Sequence, residues 1–196
     1  MKQIYVIGDS ISMHYGPFLE ELCKGEIPYN RKSGDEGYID LDNPQGANGG
    51  DSKMVLDFVK WQKENGQLDY DLLLLNCGLH DIKTANGIKQ VTPEEYEENL
   101  REILNIYKSA GIDVIFINTT PAFEEIHNVR CGEFKRHHSD VKLYNKIAEK
   151  VMNENGVRVI DLYSFTLPFL PDGYCDHIHF NEPIRKAQAE FIFENL

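Results

Sequence analysis

At 196 residues with 41% hydrophobic side chains, the chain can bury one good core, and no linker, repeat or low-complexity tract divides it, so residues 1–196 are expected to form one domain. Its 32 acidic residues against 20 basic ones give a formal net charge of -12, a field that repels nucleic-acid phosphates and anionic lipid surfaces and argues against nucleic acid and membrane as partners. The longest aliphatic run, Leu72 to Leu75, cannot span a bilayer, and the N-terminus carries no secretory apolar stretch, so as written the chain is expected to be soluble and cytoplasmic.

In chain order, Ile4 to Ile7 reads as a buried strand ending at Gly8. A helix is expected from about Ser12, with Pro17 tolerated in its first turn and Phe18, Leu19, Leu22 and Cys23 facing the sheet. Glu26 to Gly50, rich in Gly, Asn and Asp, fits no regular period. A second helix, capped by Asp51 or Ser52, should bury Met54, Val55, Phe58 and Val59, and Leu72 to Asn76 follows as a strand. Thr92, Pro93 and Glu95 form a capping box with proline at the first helical position, and Tyr96, Leu100, Ile103, Leu104 and Tyr107 make the buried stripe of a helix stopped by Gly111. Ile112 to Asn118 is a third long aliphatic run.

Thr119 to His138 is again irregular and carries Arg130, Lys135, Arg136, His137 and His138, a basic cluster that reads as a solvated loop or as one rim of a ligand crevice. A helix from Ser139 to Asn155 places Val141, Tyr144, Ile147, Ala148 and Val151 on one face. The strand Val157 to Ile160 and a last helix near Asn181, burying Ile184, Ala187, Phe191 and Ile192, complete the chain. Strands alternating with helices give a doubly wound, three-layer α/β/α sandwich on a parallel sheet.

Ser10 stands two residues after Gly8, where the first strand turns into the first helix, so its hydroxyl sits above the C-terminal edge of the sheet. A serine hydroxyl needs a base within hydrogen-bond reach, and that base needs a carboxylate to fix its tautomer. Asp176 and His179, three apart before the last helix, supply both. Donors for a developing oxyanion are the Ser10 N–H, the Gly50 N–H and the side chain of His80. Cys23, Cys77, Cys131 and Cys175 form no CxxC pair and are expected to be reduced; Cys175 reads as a small neighbour of the site and not as a nucleophile.

These residues resemble the SGNH, or GDSL, hydrolases across almost the whole chain. Gly8-Asp9-Ser10 looks like the nucleophile block, Gly50 like the oxyanion glycine, Gly78-x-x-Asp81 like the third block and Asp176-x-x-His179 like the C-terminal block. The resemblance implies a flavodoxin-like sheet, no metal, no cofactor, and hydrolysis of esters or thioesters through an acyl-enzyme at Ser10. The sequence departs from the family pattern at His80, where the family has Asn. Either the imidazole replaces the amide as oxyanion donor or the hole is incomplete; replacement is the expectation, with Asp81 or a carbonyl fixing the ring tautomer.

Two other chemistries fit fewer residues. His177 and His179 form an HxH pair that Asp9, Asp176 and His80 could join around a metal, and a carbohydrate-binding domain could retain the fold without turnover. The expected substrate is a small-molecule or glycan ester, a short acyl group such as acetyl on a hydrophilic carrier. A short-chain thioesterase or lysophospholipase stays open, and Phe165, Leu167, Phe169 and Leu170 line an acyl pocket or belong to the core. Oligomeric state leaves no mark in the sequence.

Overall fold

The computed structural model describes residues 2–196. Strands β1 (Ile4–Ile7), β2 (Tyr29–Arg31), β3 (Leu72–Leu75), β4 (Thr84–Ala85), β5 (Ile88–Lys89), β6 (Asp113–Ile117) and β7 (Arg158–Ile160) are joined by helices α1 (Ser10–Cys23), α2 (Ser52–Glu64), α3 (Pro93–Ala110), α4 (Glu124–Arg130), α5 (His138–Glu154), α6 (Leu162–Thr166) and α7 (Glu182–Glu194). The main sheet has the order β2-β1-β3-β6-β7 with every pair parallel. Parallel neighbours require crossover connections, and the helices that make them cover both faces: α1 packs on α7 and α7 on α6, while α2, α3 and α5 pack in a row. The order reverses after β1, which puts the turn carrying Ser10 at the switch point between β1 and β3, where doubly wound sheets bind ligands.

Local sequence explains most of this. Leu73, Leu74 and Leu75 are wholly buried, as a central strand covered on both faces demands. The α3 capping box forms with both bonds, Glu95 N–H to Thr92 Oγ1 at 3.3 Å and Thr92 N–H to Glu95 Oε2 at 2.9 Å, and Gly111 closes the helix at φ 72°. All five residues of its expected stripe are buried, each contributing about 1.5–3 kcal/mol of apolar transfer.

Several expectations are corrected. Helix α1 begins at Ser10 and not near Ser12, because Asp9 caps it by accepting from Ile11 N at 2.9 Å; Pro17 therefore lies inside the helix and not in its first turn. Met54 is 38% exposed and Phe58 is half-buried, while Gln62 is buried instead, its Oε1 accepting from Tyr70 Oη at 3.2 Å. The irregular stretch Glu26 to Gly50 contains the edge strand β2 and a 3₁₀ turn at Asp35–Tyr38, and Thr119 to His138 contains α4. The hairpin β4–β5 turns on Asn86-Gly87, with φ 51° and 75°, the left-handed pair that such a turn needs. Among the described residues no helix is long and apolar enough to cross a membrane.

Candidate active site

Gly8 ends β1 with no room for a side chain, since a Cβ there would lie 2.7 Å from that of Ser12. This close approach lets α1 start at once, with Ser10 as its first residue, at the positive end of the helix dipole where backbone N–H groups have no intrahelical acceptor. The opposite wall is the turn before α7. Asp176 Oδ1 accepts from the backbone N–H of Ile178 at 2.8 Å and of His179 at 2.7 Å, which fixes the turn and leaves Oδ2 free to face the imidazole. His179 Nδ1 lies 2.7 Å from that Oδ2, and His179 Nε2 lies 2.9 Å from Ser10 Oγ. The tautomer this implies donates from Nδ1 to Asp176 and accepts the Ser10 hydroxyl proton at Nε2. The structure thus brings together all three residues expected from the two ends of the chain.

Burial alone would raise the Asp176 carboxyl, but the donors from the His179 ring and backbone outweigh it and hold the group well below the usual carboxylate range. Ser10 and His179 are each only 2% exposed. His14, four residues after Ser10 on the same helix face, sets its ring edge-on to that of His179 at 5.0 Å; burial, then the charges of Arg185 and His179, pull His14 down to about 4, so it is neutral at pH 7. Arg130 Nη1 donates to the Asp176 carbonyl at 3.0 Å. Both contacts escaped the sequence reading, although the four-residue spacing of Ser10 and His14 was a signal for the first.

On the oxyanion side Gly50 has φ +74°, and an added Cβ would meet Met54 Sδ at 2.6 Å and Pro44 Cβ at 2.9 Å, so glycine is required there twice over. Its N–H is donated to Asn48 Oδ1 at 3.0 Å, so it reaches an oxyanion only by exchanging that partner. His80 is 2% exposed, and neither ring nitrogen has a hydrogen-bond partner; burial drives its pKa well below the usual histidine value, so it is neutral and carries one N–H. The expected orienting role of Asp81 is corrected. Its Oδ1 accepts from Ser52 N at 2.9 Å, clamping the start of α2 beside Gly50, and burial raises its carboxyl to about 7.

The basic segment divides. Arg130 and Lys135 are exposed and His137 is half-buried, whereas Arg136 is 1% exposed, with Nε donating to Leu79 O at 2.8 Å. Periodicity treats charge as exposed and gave no sign of this. His177 lies against Asp42, Nε2 to Oδ2 at 3.2 Å. Both ring nitrogens of His179 are already engaged by Ser10 and Asp176, and among the described residues no three His, Cys, Asp or Glu side chains are grouped to hold a metal ion. Cys175 is exposed, its thiol 3.4 Å from Phe180 O. Phe165 stacks on Phe191 at 4.2 Å and meets Phe169 at 5.6 Å, so these aromatics tie α6 to α7. A concavity of about 680 Å³ opens between the strand N-termini at Ile4, Leu72 and Asp113, the end of the sheet opposite Ser10.

The profile of the GDSL-like Lipase/Acylhydrolase family matches residues 6–186. A search of curated proteins finds no match. Among solved structures, the acetyl xylan esterase AlAXEase is similar at TM-score 0.72 and 16% identity, covering 99% of each chain. The lipase/acylhydrolase from Enterococcus faecalis has TM-score 0.72 and 18% identity over 100% of this chain and 95% of its own. The psychrotrophic esterase EstA from Pseudoalteromonas sp., solved inhibited by monoethylphosphonate, has TM-score 0.67 and 13% identity over 99% and 96%. At these identities the likeness is one of fold.

Proposed function

We propose, from the premise that this chain belongs to the GDSL-like lipase/acylhydrolase family of ester hydrolases, that it is a serine esterase removing short acyl groups, acetyl first among them, from a hydrophilic carrier of the carbohydrate class. The observation that carries the proposal is the hydrogen-bonded chain Ser10–His179–Asp176 at 2.9 and 2.7 Å. In this mechanism His179 Nε2 takes the Ser10 proton as Oγ attacks the ester carbonyl, and Asp176 stabilises the imidazolium that forms. The tetrahedral oxyanion takes donors from the Ser10 and Gly50 N–H groups and the His80 ring, and each such donor is worth roughly 10² to 10³ in rate. His179 returns its proton to the departing alcohol, then activates the water that attacks the acyl-enzyme and regenerates Ser10. No cofactor is required.

Support for a short acyl group comes from burial. Ser10 is nearly inaccessible, and Phe165, one of the acyl-pocket candidates, instead stacks on Phe191 between α6 and α7. Support for a polar carrier comes from the side chains gathered around the triad, His14, Arg130 and His177, together with the acetyl xylan esterase among the similar structures. The test is kcat/KM on 4-nitrophenyl acetate, butyrate and octanoate and on acetylated xylo-oligosaccharides. A steep fall beyond butyrate with release of acetate from the oligosaccharides is expected; preference for octanoate would reject the substrate class.

A further inference from the structure

We propose that Arg136 and His177, with Lys83 behind them, form an anion subsite beside Ser10 that takes a carboxylate of the ester substrate, and that the Asp42 carboxylate fills it until substrate arrives. The inference rests on the serine-esterase reading above and deepens it: the preferred ester carries a carboxylate near the scissile bond, as an acylated sugar acid does.

Burying a guanidinium is costly unless it is paired and fully hydrogen-bonded. Arg136 is 1% exposed, yet Nη1 has no hydrogen-bond partner, and the one carboxylate paired with it, that of Asp42, stands 3.7 Å from Nη2, too far for a hydrogen bond. The planar fork is thus held in place, by Nε on Leu79 O and by the Phe134 ring 4.9 Å beneath it, with donor capacity left over. The same Asp42 carboxylate meets His177 on its other oxygen at 3.2 Å, and the His177 ring stands 6.2 Å from that of His179. Arg136 also feels the charges of Asp9 and Asp176, which flank the reacting serine and its base. In a chain of net charge -12, Arg136 sets a buried positive charge where an anionic ester would dock.

Asp42 is suited to leave. It lies near the tip of a loop whose ends are tied by Ala47 N–H on Gly34 O at 2.9 Å, the shape of an Ω-loop, and whose outer residues Tyr38 and Ile39 are exposed. Besides the carboxylate, the tip is held by Lys83 Nζ on Asp42 O at 2.6 Å and by Asn48 Nδ2 on Leu41 O at 3.2 Å. Asn48 is the residue whose Oδ1 occupies the Gly50 N–H. Only the Asp42 side chain has to swing out for a substrate carboxylate to take its place, since these tip bonds and the Asn48–Gly50 bond do not involve its carboxylate.

The experiment compares 4-acetoxybenzoate with its neutral methyl ester on wild type, Asp42→Ala and His177→Ala, with circular dichroism to verify folding. Asp42→Ala should raise kcat/KM for the anionic ester about tenfold, the factor set by one charged hydrogen bond, mainly through KM, and leave the neutral ester within about threefold. His177→Ala should lower the anionic-to-neutral ratio, and salt should erode it. Equal changes for both esters in Asp42→Ala would overturn the subsite while leaving the esterase intact. Turnover of neither ester by wild type would instead overturn the esterase reading and this proposal with it.

Discussion

His80→Ala separates catalysis from packing at the position where this chain departs from its family. The ring is 2% exposed with both nitrogens unpartnered, an arrangement that costs about 1–3 kcal/mol per unmade hydrogen bond in the resting protein. Such a group is useful if its partner arrives only with the reaction, because an interaction absent from the ground state and present in the transition state lowers the barrier in full. Removing one oxyanion donor should slow kcat by roughly 10² to 10³, or about 2.7–4 kcal/mol. Folding stability should change much less, since the cavity left by the ring is offset by relief of its unsatisfied nitrogens. His80→Asn, which keeps an N–H, should retain most of the activity. The assay pairs steady-state hydrolysis of 4-nitrophenyl acetate with urea unfolding. Wild-type kcat in His80→Ala would remove the ring from the mechanism, and parallel losses of rate and stability would make it a packing residue.

Two further outcomes follow from the same geometry. Asp176→Asn should keep the turn, with the amide oxygen accepting from Ile178 and His179, but present N–H to Nδ1 and so enforce the wrong tautomer; kcat should fall by about 10⁴, read as single-turnover acylation, and a loss under tenfold would contradict the assigned roles. His127 is wholly buried without partners, and burial followed by the charges of Arg136 and His177 lowers it to about 3 from 6.5. The unfolded chain takes this proton near pH 6.5 and the folded one resists it, so its contribution is full above that pH and is lost as pH falls toward 3. His127→Phe should therefore gain stability over wild type by about 1.4 kcal/mol per pH unit between pH 6 and 4 in urea unfolding. A pH-independent difference would refute the buried neutral imidazole.

What the sequence disclosed was what local chemistry determines. The box at Thr92, the stop at Gly111 and the fully apolar Leu72 to Leu75 specify their elements unaided, and Gly8-Asp9-Ser10 and Asp176-x-x-His179 are each set by a single turn. The Asn86-Gly87 hairpin is equally local, a turn signal without apolar alternation around it. The start of α1 was misplaced because Asp9 serves as cap as well as neighbour of the nucleophile. Arg136, Asp42 and Asn48 were not legible, since their places depend on loops meeting across the fold: one residue of a basic run is buried, another of an acidic loop pairs with it, and no spacing along the chain encodes either.

The central claim is that Ser10 forms the covalent intermediate. Intact mass after treatment with a fluorophosphonate probe tests it without knowledge of the substrate, using Ser10→Ala as control. One adduct per chain, mapped to Ser10 and missing from the variant, is the predicted result; well-folded protein that takes no adduct, or takes it elsewhere, would contradict it.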